Sequence, residues 1–182
     1  MTLDSANSTS ATITNGSLVY TDTIENIENI KSGAGDDTLK GSDVDNIIVS
    51  GAGNDTLSGG KGDDYIDGGD DTDTIDYRYV TSGTGVSVNL TLNSASDMFV
   101  DTFKQVGNDQ LYNIENVKGT AYADSIIGNG QNNILEGNSG NDFLDGKAGN
   151  DSLLGGLGDD SLKGGTGDDI LNGGDGIDTA DY

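Results

Sequence analysis

Aspartate recurs in this chain at nine-residue intervals, and that spacing carries most of its chemistry. From Ser32 the sequence divides into SGAGDDTLK, GSDVDNIIV, SGAGNDTLS, GGKGDDYID and GGDDTDTID, ending at Asp76. From Gly119 it divides again into GTAYADSII, GNGQNNILE, GNSGNDFLD, GKAGNDSLL, GGLGDDSLK, GGTGDDILN and GGDGIDTAD, ending at Asp181. The sixth place holds Asp37, Asp55, Asp64, Asp73, Asp124, Asp142, Asp151, Asp160, Asp169 and Asp178 in ten of the twelve units, and Asn46 and Asn133 in the other two. A short carboxylate on a glycine-rich turn can join main-chain carbonyls in an all-oxygen ligand set, which suits Ca²⁺ or Mg²⁺. There is no His and no Cys. Zinc, copper and iron sites of the usual kind are therefore not expected. Ser-His and zinc-His catalysis lack their residues.

The elements that must position these carboxylates follow from the rest of the unit. Glycines near the first, second and fourth places permit positive φ and close backbone approach. The eighth place is Leu or Ile in eleven units and Ala180 in the last. Each nonapeptide thus reads as a six-residue turn and a three-residue strand with its eighth residue turned to one side. Two units, eighteen residues, make one flattened coil. Stacked coils bring equivalent turns together at the strand spacing of about 4.8 Å, close enough to share an ion bonded at roughly 2.3–2.6 Å. A glycine-rich linker would not hold phase through two arrays.

Composition demands such an ion. Only 32% of the 182 residues are hydrophobic, the formal charge is −24 and there is no cysteine for disulfides. A chain of that kind cannot bury enough apolar surface to offset its ordering entropy unaided. The 28 Asp outnumber the 4 Glu, which a merely solvated acidic surface does not require. The charge disfavours nucleic acid and anionic membranes as partners, and no stretch approaches the ~20 apolar residues of a membrane span.

A longer period organises the chain into two copies of one module. Ile27-Glu28-Asn29-Ile30-Lys31 precedes the first array, and Ile114-Glu115-Asn116-Val117-Lys118 the second. The predicted segments are an N-terminal cap, 1–31; a first roll of five units, 32–76; a linker and capping segment, 77–118; and a second roll of seven units, 119–182. Alternation of Val86, Val88, Leu90 and Leu92 predicts a strand. Residues 11–20 suggest another, and 98–106 fit either a strand or a short helix. Tyr77, Tyr79, Phe99, Phe103 and Tyr112 are expected to cover the exposed ends of the rolls. The start, MTLDSANSTS, lacks the basic and apolar parts of a signal peptide, and the chain is expected to be a piece of a longer protein.

These units resemble the RTX, or haemolysin-type, calcium-binding repeat, whose motif is GGxGxDxUx. The likeness covers about 108 residues in the twelve units above, and LYNIENVKGTAYADSIIGN is similar to linkers in RTX toxins and large RTX adhesins. The resemblance implies an all-β parallel β-roll, here two tandem rolls with linker strands between them. It implies Ca²⁺ held by sixth-place carboxylates two units apart. Carbonyls would come from places two and four of the first turn and places one and three of the second.

On this chain that gives Asp142 with Asp160, using carbonyls of Asn138, Gly140, Gly155 and Leu157. Asp151 pairs with Asp169, using Lys147, Gly149, Gly164 and Thr166. Asp160 pairs with Asp178, using Gly156, Gly158, Gly173 and Asp175. In the first array Asp37 pairs with Asp55 (Gly33, Gly35), and Asp55 with Asp73 (Gly51, Gly53, Gly68, Asp70). Val44, Asp71, Tyr122 and Gln131 replace the fourth-place glycine, so the pairs Asn46/Asp64, Asp124/Asp142 and Asn133/Asp151 are expected to be weak or empty. At most about eight ions follow. The fifth-place Asp36, Asp63, Asp159 and Asp168 are expected to be surface charge.

The resemblance further implies a secreted or cell-surface bacterial protein, exported by type I secretion and folding on Ca²⁺ outside the cell, where calcium is millimolar. The module would serve as folding trigger, spacer or scaffold for flanking domains of its parent protein, as a monomer and without catalysis of its own. The alternative is a ligand-binding adhesin module using the 77–118 insert. Substituting Tyr79 and Phe103 discriminates the two: a binding patch loses its ligand, whereas a cap loses only stability.

Overall fold

The computed structural model describes residues 9–15, 18–24, 28–98 and 105–181. Phe99, Phe103, Ile27 and most of the 98–106 segment lie outside the described residues. Nineteen strands and no helix are found among those described. The first two, β1 (Thr9–Asn15) and β2 (Leu18–Ile24), pair antiparallel as a separate two-stranded sheet, so the segment read as one strand over 11–20 falls on two strands.

The remaining strands form the expected β-roll. One sheet takes β3 (Asn29–Lys31), β5 (Ile47–Ala52), β7 (Tyr65–Asp70), β9 (Val86–Asn89), β10 (Ser94–Asp97), β11 (Asn108–Tyr112), β13 (Ser125–Ile127), β15 (Phe143–Ala148), β17 (Ser161–Thr166) and β19 (Thr179–Asp181). The other takes β4 (Thr38–Lys40), β6 (Thr56–Ser58), β8 (Thr74–Asp76), β12 (Asn116–Lys118), β14 (Ile134–Ser139), β16 (Ser152–Leu157) and β18 (Ile170–Asp175). Successive units alternate between the sheets, so Leu39 meets Leu57, and Leu144 meets Leu162, in parallel register eighteen residues on. Every pairing in these two sheets is parallel except the two made by β10.

The three-residue strands other than the last, β19, bury their middle residue and leave its neighbours facing outward, as a period of two requires. The core is accordingly one side chain deep per strand. Ile48, Leu57, Ile66, Ile75, Ile126, Leu135, Leu144 and Leu153 are all fully buried. The eighth-place residues expected to be core are core, up to Leu162.

The segment between the arrays is spliced into this stack. In the smaller sheet β12 pairs directly with β8, joining the second array to the first. In the larger sheet β11 pairs with β7, and β10 and β9 are laid between β11 and β13. The strand expected over Val86–Leu92 stops at Asn89, because the chain turns there to reverse into β10; Leu90 is still buried, but Leu92 is exposed. Tyr77 is wholly buried inside the stack, Tyr79 packs against the core and donates to the Gly60 carbonyl (2.7 Å), and Tyr112 packs on Tyr65. These three tyrosines thus fill and flank the joint between the arrays and are not at the ends of the roll.

Candidate metal-binding loops

Turns line both edges of the roll, and their sixth-place side chains form two ladders. Within each array the backbone N–H of one sixth residue donates to Oδ1 of the sixth residue eighteen places on wherever the array extends that far: Asp37 to Asp55 (2.7 Å), Asp55 to Asp73 (2.9 Å), Asp124 to Asp142 (2.7 Å), Asp142 to Asp160 (2.8 Å), Asp151 to Asp169 (2.9 Å) and Asp160 to Asp178 (3.0 Å) among them. This fixes one oxygen of each carboxylate. The other faces inward. Oδ2 of Asp55, Asp64, Asp73, Asp142, Asp151 and Asp160 is buried without any hydrogen-bond partner. A buried carboxylate oxygen left unpaired is costly, and six repeat the same arrangement in successive turns. The one other such oxygen, Oδ1 of Asp145, lies on a strand, with Lys147 donating to its Oδ2.

The orphaned oxygens point into cradles. A β-carbon built on Gly137 would collide with both Asp142 Oδ2 and the Gly155 carbonyl oxygen. On Gly146 it would meet Asp151 Oδ2 and Gly164 O, and on Gly155 Asp160 Oδ2 and Gly173 O. A carboxylate oxygen from one turn and the first-place carbonyl of the next thus converge on the same point, and glycine at the first place keeps it clear. In two units of the first array the first place is serine: Ser50 Oγ donates to the Gly68 carbonyl (2.6 Å), and Ser32 Oγ to that of Ser50. A carbonyl oxygen has two lone pairs, so these can still accept a second partner.

Positive φ at second- and fourth-place glycines lets each turn lie on the one before. Gly156 (φ +116) sits over the Asn138 carbonyl, and Gly158 (φ +127) over that of Gly140. Asn138 (φ 75) and Lys147 (φ 78) take the same conformation at second places, and Asp71 (φ 78) at a fourth place.

Three turns are closed differently. The side-chain oxygen of Asn46 accepts from the Ser42 N–H (2.6 Å), Asp124 Oδ2 from the Thr120 N–H (2.6 Å), and Asn133 Oδ1 from the Asn129 N–H (2.9 Å). Each bond caps the oxygen that is free elsewhere. These are the turns in which Val44, Tyr122 and Gln131 replace the fourth-place glycine, so the departure from the motif has a structural counterpart. Asp71 also replaces a glycine, yet its turn keeps the positive φ and the free Asp73 oxygen.

Burial raises the pKa of several of these aspartates. Asp142 is pushed from 3.8 to about 7 by burial, with the neighbouring Asp124 and Asp160 adding to it. Asp64 rises to about 7 and Asp73 to about 6, again chiefly through burial. Asp151 and Asp160 shift in the same direction for the same reason. The fifth-place side chains form an outer ladder of opposite sense: Asn54 N–H donates to Asp36 Oδ1 (2.9 Å), and Ile177 N–H to Asp159 Oδ1 (2.8 Å). They are exposed, in keeping with a surface role.

Two residues that the motif does not mark continue the inner ladders across the splice. Asp64 N–H donates to Asp109 Oδ1 (3.1 Å), and Asp73 N–H to Glu115 Oε2 (2.9 Å). Asp109 is buried and also accepts from Tyr77 Oη (3.2 Å); burial and the nearby Asp64 raise its pKa to about 8. Gly107-Asn108-Asp109-Gln110-Leu111 matches places four to eight of a unit, a signal that could have marked Asp109. Among the described residues no group of three or more His, Cys, Asp or Glu side chains converges on one point. A cation bound here takes at most two carboxylates and must draw its other ligands from carbonyls and water.

Stacked loops with paired inward carboxylates, converging carbonyls and only oxygen donors define a β-solenoid built for a hard divalent cation. The model of the RTX calcium-binding nonapeptide repeat matches four times, over residues 25–43, 41–75, 114–144 and 145–180. The chain belongs to this family, and its repeats bind Ca²⁺. No curated protein matches the chain.

Proposed function

We propose that the chain is a calcium-driven folding module of an exported bacterial protein, unfolded where calcium is scarce and ordered where it is abundant. The unpartnered, buried Oδ2 atoms of Asp55, Asp73, Asp142, Asp151 and Asp160 carry this reading. Without a cation the stack must hold unpaired carboxylates out of water. With one, each carboxylate gains a counter-charge shared with the next turn. Ligands come from turns eighteen residues apart, so an ion bound at one level orders half of the next site, and binding is cooperative. Affinities of about 10⁻⁴–10⁻³ M, usual for extracellular calcium modules, separate a calcium-poor cytosol from the outside.

Five of the eight pairs take an ion on this reading: Asp37/Asp55, Asp55/Asp73, Asp142/Asp160, Asp151/Asp169 and Asp160/Asp178. The three whose first turn is capped, Asn46/Asp64, Asp124/Asp142 and Asn133/Asp151, do not. The module has no catalysis of its own, as the lack of His and Cys suggests. Circular dichroism during a calcium titration tests the proposal. A steep gain of β signal with Ca²⁺ is expected, and Mg²⁺ should not substitute, because it demands tighter octahedral coordination and holds its water. A β spectrum already complete in calcium-free buffer would refute it.

A further inference from the structure

The arrays meet where one loop is cut short. Tyr112 lies in register with Asp67, and Asn116 with Thr74. The regular turn fills that interval with residues 68–73; the next turn fills it with 113–115 alone. Where the missing residues would lie there is a cavity of about 380 Å³, walled by Gly69, Asp71, Asn113, Glu115 and Asn129 among others. The third matched repeat segment begins at residue 114, so Glu115 lies at its very start and Asn113 just before it, ahead of the first nonapeptide of the second array at Gly119.

The oxygens around the cut loop nonetheless repeat the pattern of a regular pair. Asp73 is fully buried; its Oδ1 accepts from Asp55 N–H, and its Oδ2 has no partner. Glu115 Oε2 accepts from Asp73 N–H, the part that Asp160 plays for Asp142. A β-carbon on Gly68 would collide with Asp73 Oδ2 and with the Asn113 carbonyl oxygen, the counterparts of Asp142 Oδ2 and Gly155 O around Gly137. Asn113 holds that carbonyl in place through a positive φ (52°) and a bond from its Nδ2 to Asp67 Oδ1 (2.7 Å).

We propose that Asp73, Glu115 and the Asn113 carbonyl hold a divalent cation at the splice between the arrays, a site built on a glutamate and a shortened loop that the nonapeptide motif does not contain. This rests on the calcium reading of the regular turns. Two carboxylates match the charge of one Ca²⁺. The shortened loop supplies fewer carbonyls than a full turn, and the cavity leaves room for water to complete the six to eight oxygens Ca²⁺ takes. The extra methylene of Glu lets its carboxylate reach toward that cavity. Since Asp73 belongs to the first array and Glu115 lies at the end of the insert, four residues before the second array begins at Gly119, the ion ties the first array to the second.

Crystals of the whole chain grown in millimolar Ca²⁺, with anomalous differences collected at long wavelength, test the proposal. A peak enclosed by Asp73, Glu115 and Asn113 is expected. Peaks in the regular turns with none at the splice would overturn it. If no turn anywhere holds calcium, the general calcium reading fails and takes this site with it. In native mass spectrometry at saturating Ca²⁺, Glu115→Gln should carry one ion fewer than the natural chain, and an unchanged count would overturn the site. Should Glu115→Gln lose several ions by disturbing the joint, the anomalous map of the natural chain decides.

Discussion

Each open turn holds one carboxylate oxygen committed to the turn before it and one that is free, and pH acts on that asymmetry. Folded pKa values stand at about 7 for Asp64 and Asp142, about 6 for Asp73 and about 8 for Asp109, against 3.8 ordinarily. A raised folded pKa means that the fold binds protons more tightly than the unfolded chain. Its stabilising contribution is complete below about pH 4 and is lost as pH rises through about 6–8. The calcium-free chain should therefore gain β structure on acidification over that window, as read by circular dichroism. With calcium present, protons compete for the ligands, so the calcium midpoint should move to higher concentration as pH falls below about 7. The capped turns give a second test. Asp142→Asn removes a free oxygen and should weaken calcium binding at least about tenfold, since even losses behind a metal's ligands cost about 10–100-fold. Asp124→Asn keeps an acceptor for Thr120 and should change the calorimetric midpoint far less.

Strand and turn are separable in this unit, and different substitutions break each. Leu153 lies between Leu135 and Leu171 in the smaller sheet and is fully buried. Leu153→Ala should cost about 2–5 kcal/mol in denaturant unfolding of the calcium-loaded protein. In the turns the decisive atom is a β-carbon. Gly158→Ala places a methyl group against the Gly140 carbonyl at a φ of +127 and should separate two stacked coils, lowering both stability and ion count. At Gly130 no atom lies within 4 Å and φ is not positive, so Gly130→Ala should stay within about 0.5 kcal/mol of the natural chain. These elements were legible in the sequence because one period fixes everything: the eighth residue must be core wherever the sixth is a turn carboxylate. The capped turns were legible only as departures, since the bonds from Ser42, Thr120 and Asn129 depend on the backbone path. Asp109 stood in a fragment of the repeat. Glu115 could not be read, because its alignment with Asp73 depends on a three-residue turn that only strand register reveals.

Across the whole molecule, the insert decides whether there are two rolls or one. Sheet pairing runs from β8 to β12 and from β7 to β11, so the arrays share both layers. Sequence symmetry showed two copies of a module but not this joint, because β9 and β10 follow no repeat and β11 keeps only a fragment of one. Within the arrays the core is one residue deep per strand, and only the splice adds more, Tyr77, Val86 and Val88 among them, in a chain of formal charge −24. So thin a core cannot offset both chain entropy and self-repulsion, and calcium shared between turns supplies the difference on the proposed reading. Small-angle X-ray scattering of the full chain across a calcium titration tests this most directly. The account predicts a radius of gyration near the ~45 Å of an unfolded chain of this length in calcium-free buffer, falling steeply to roughly half at millimolar Ca²⁺. A compact particle of unchanged size after complete removal of calcium would contradict it.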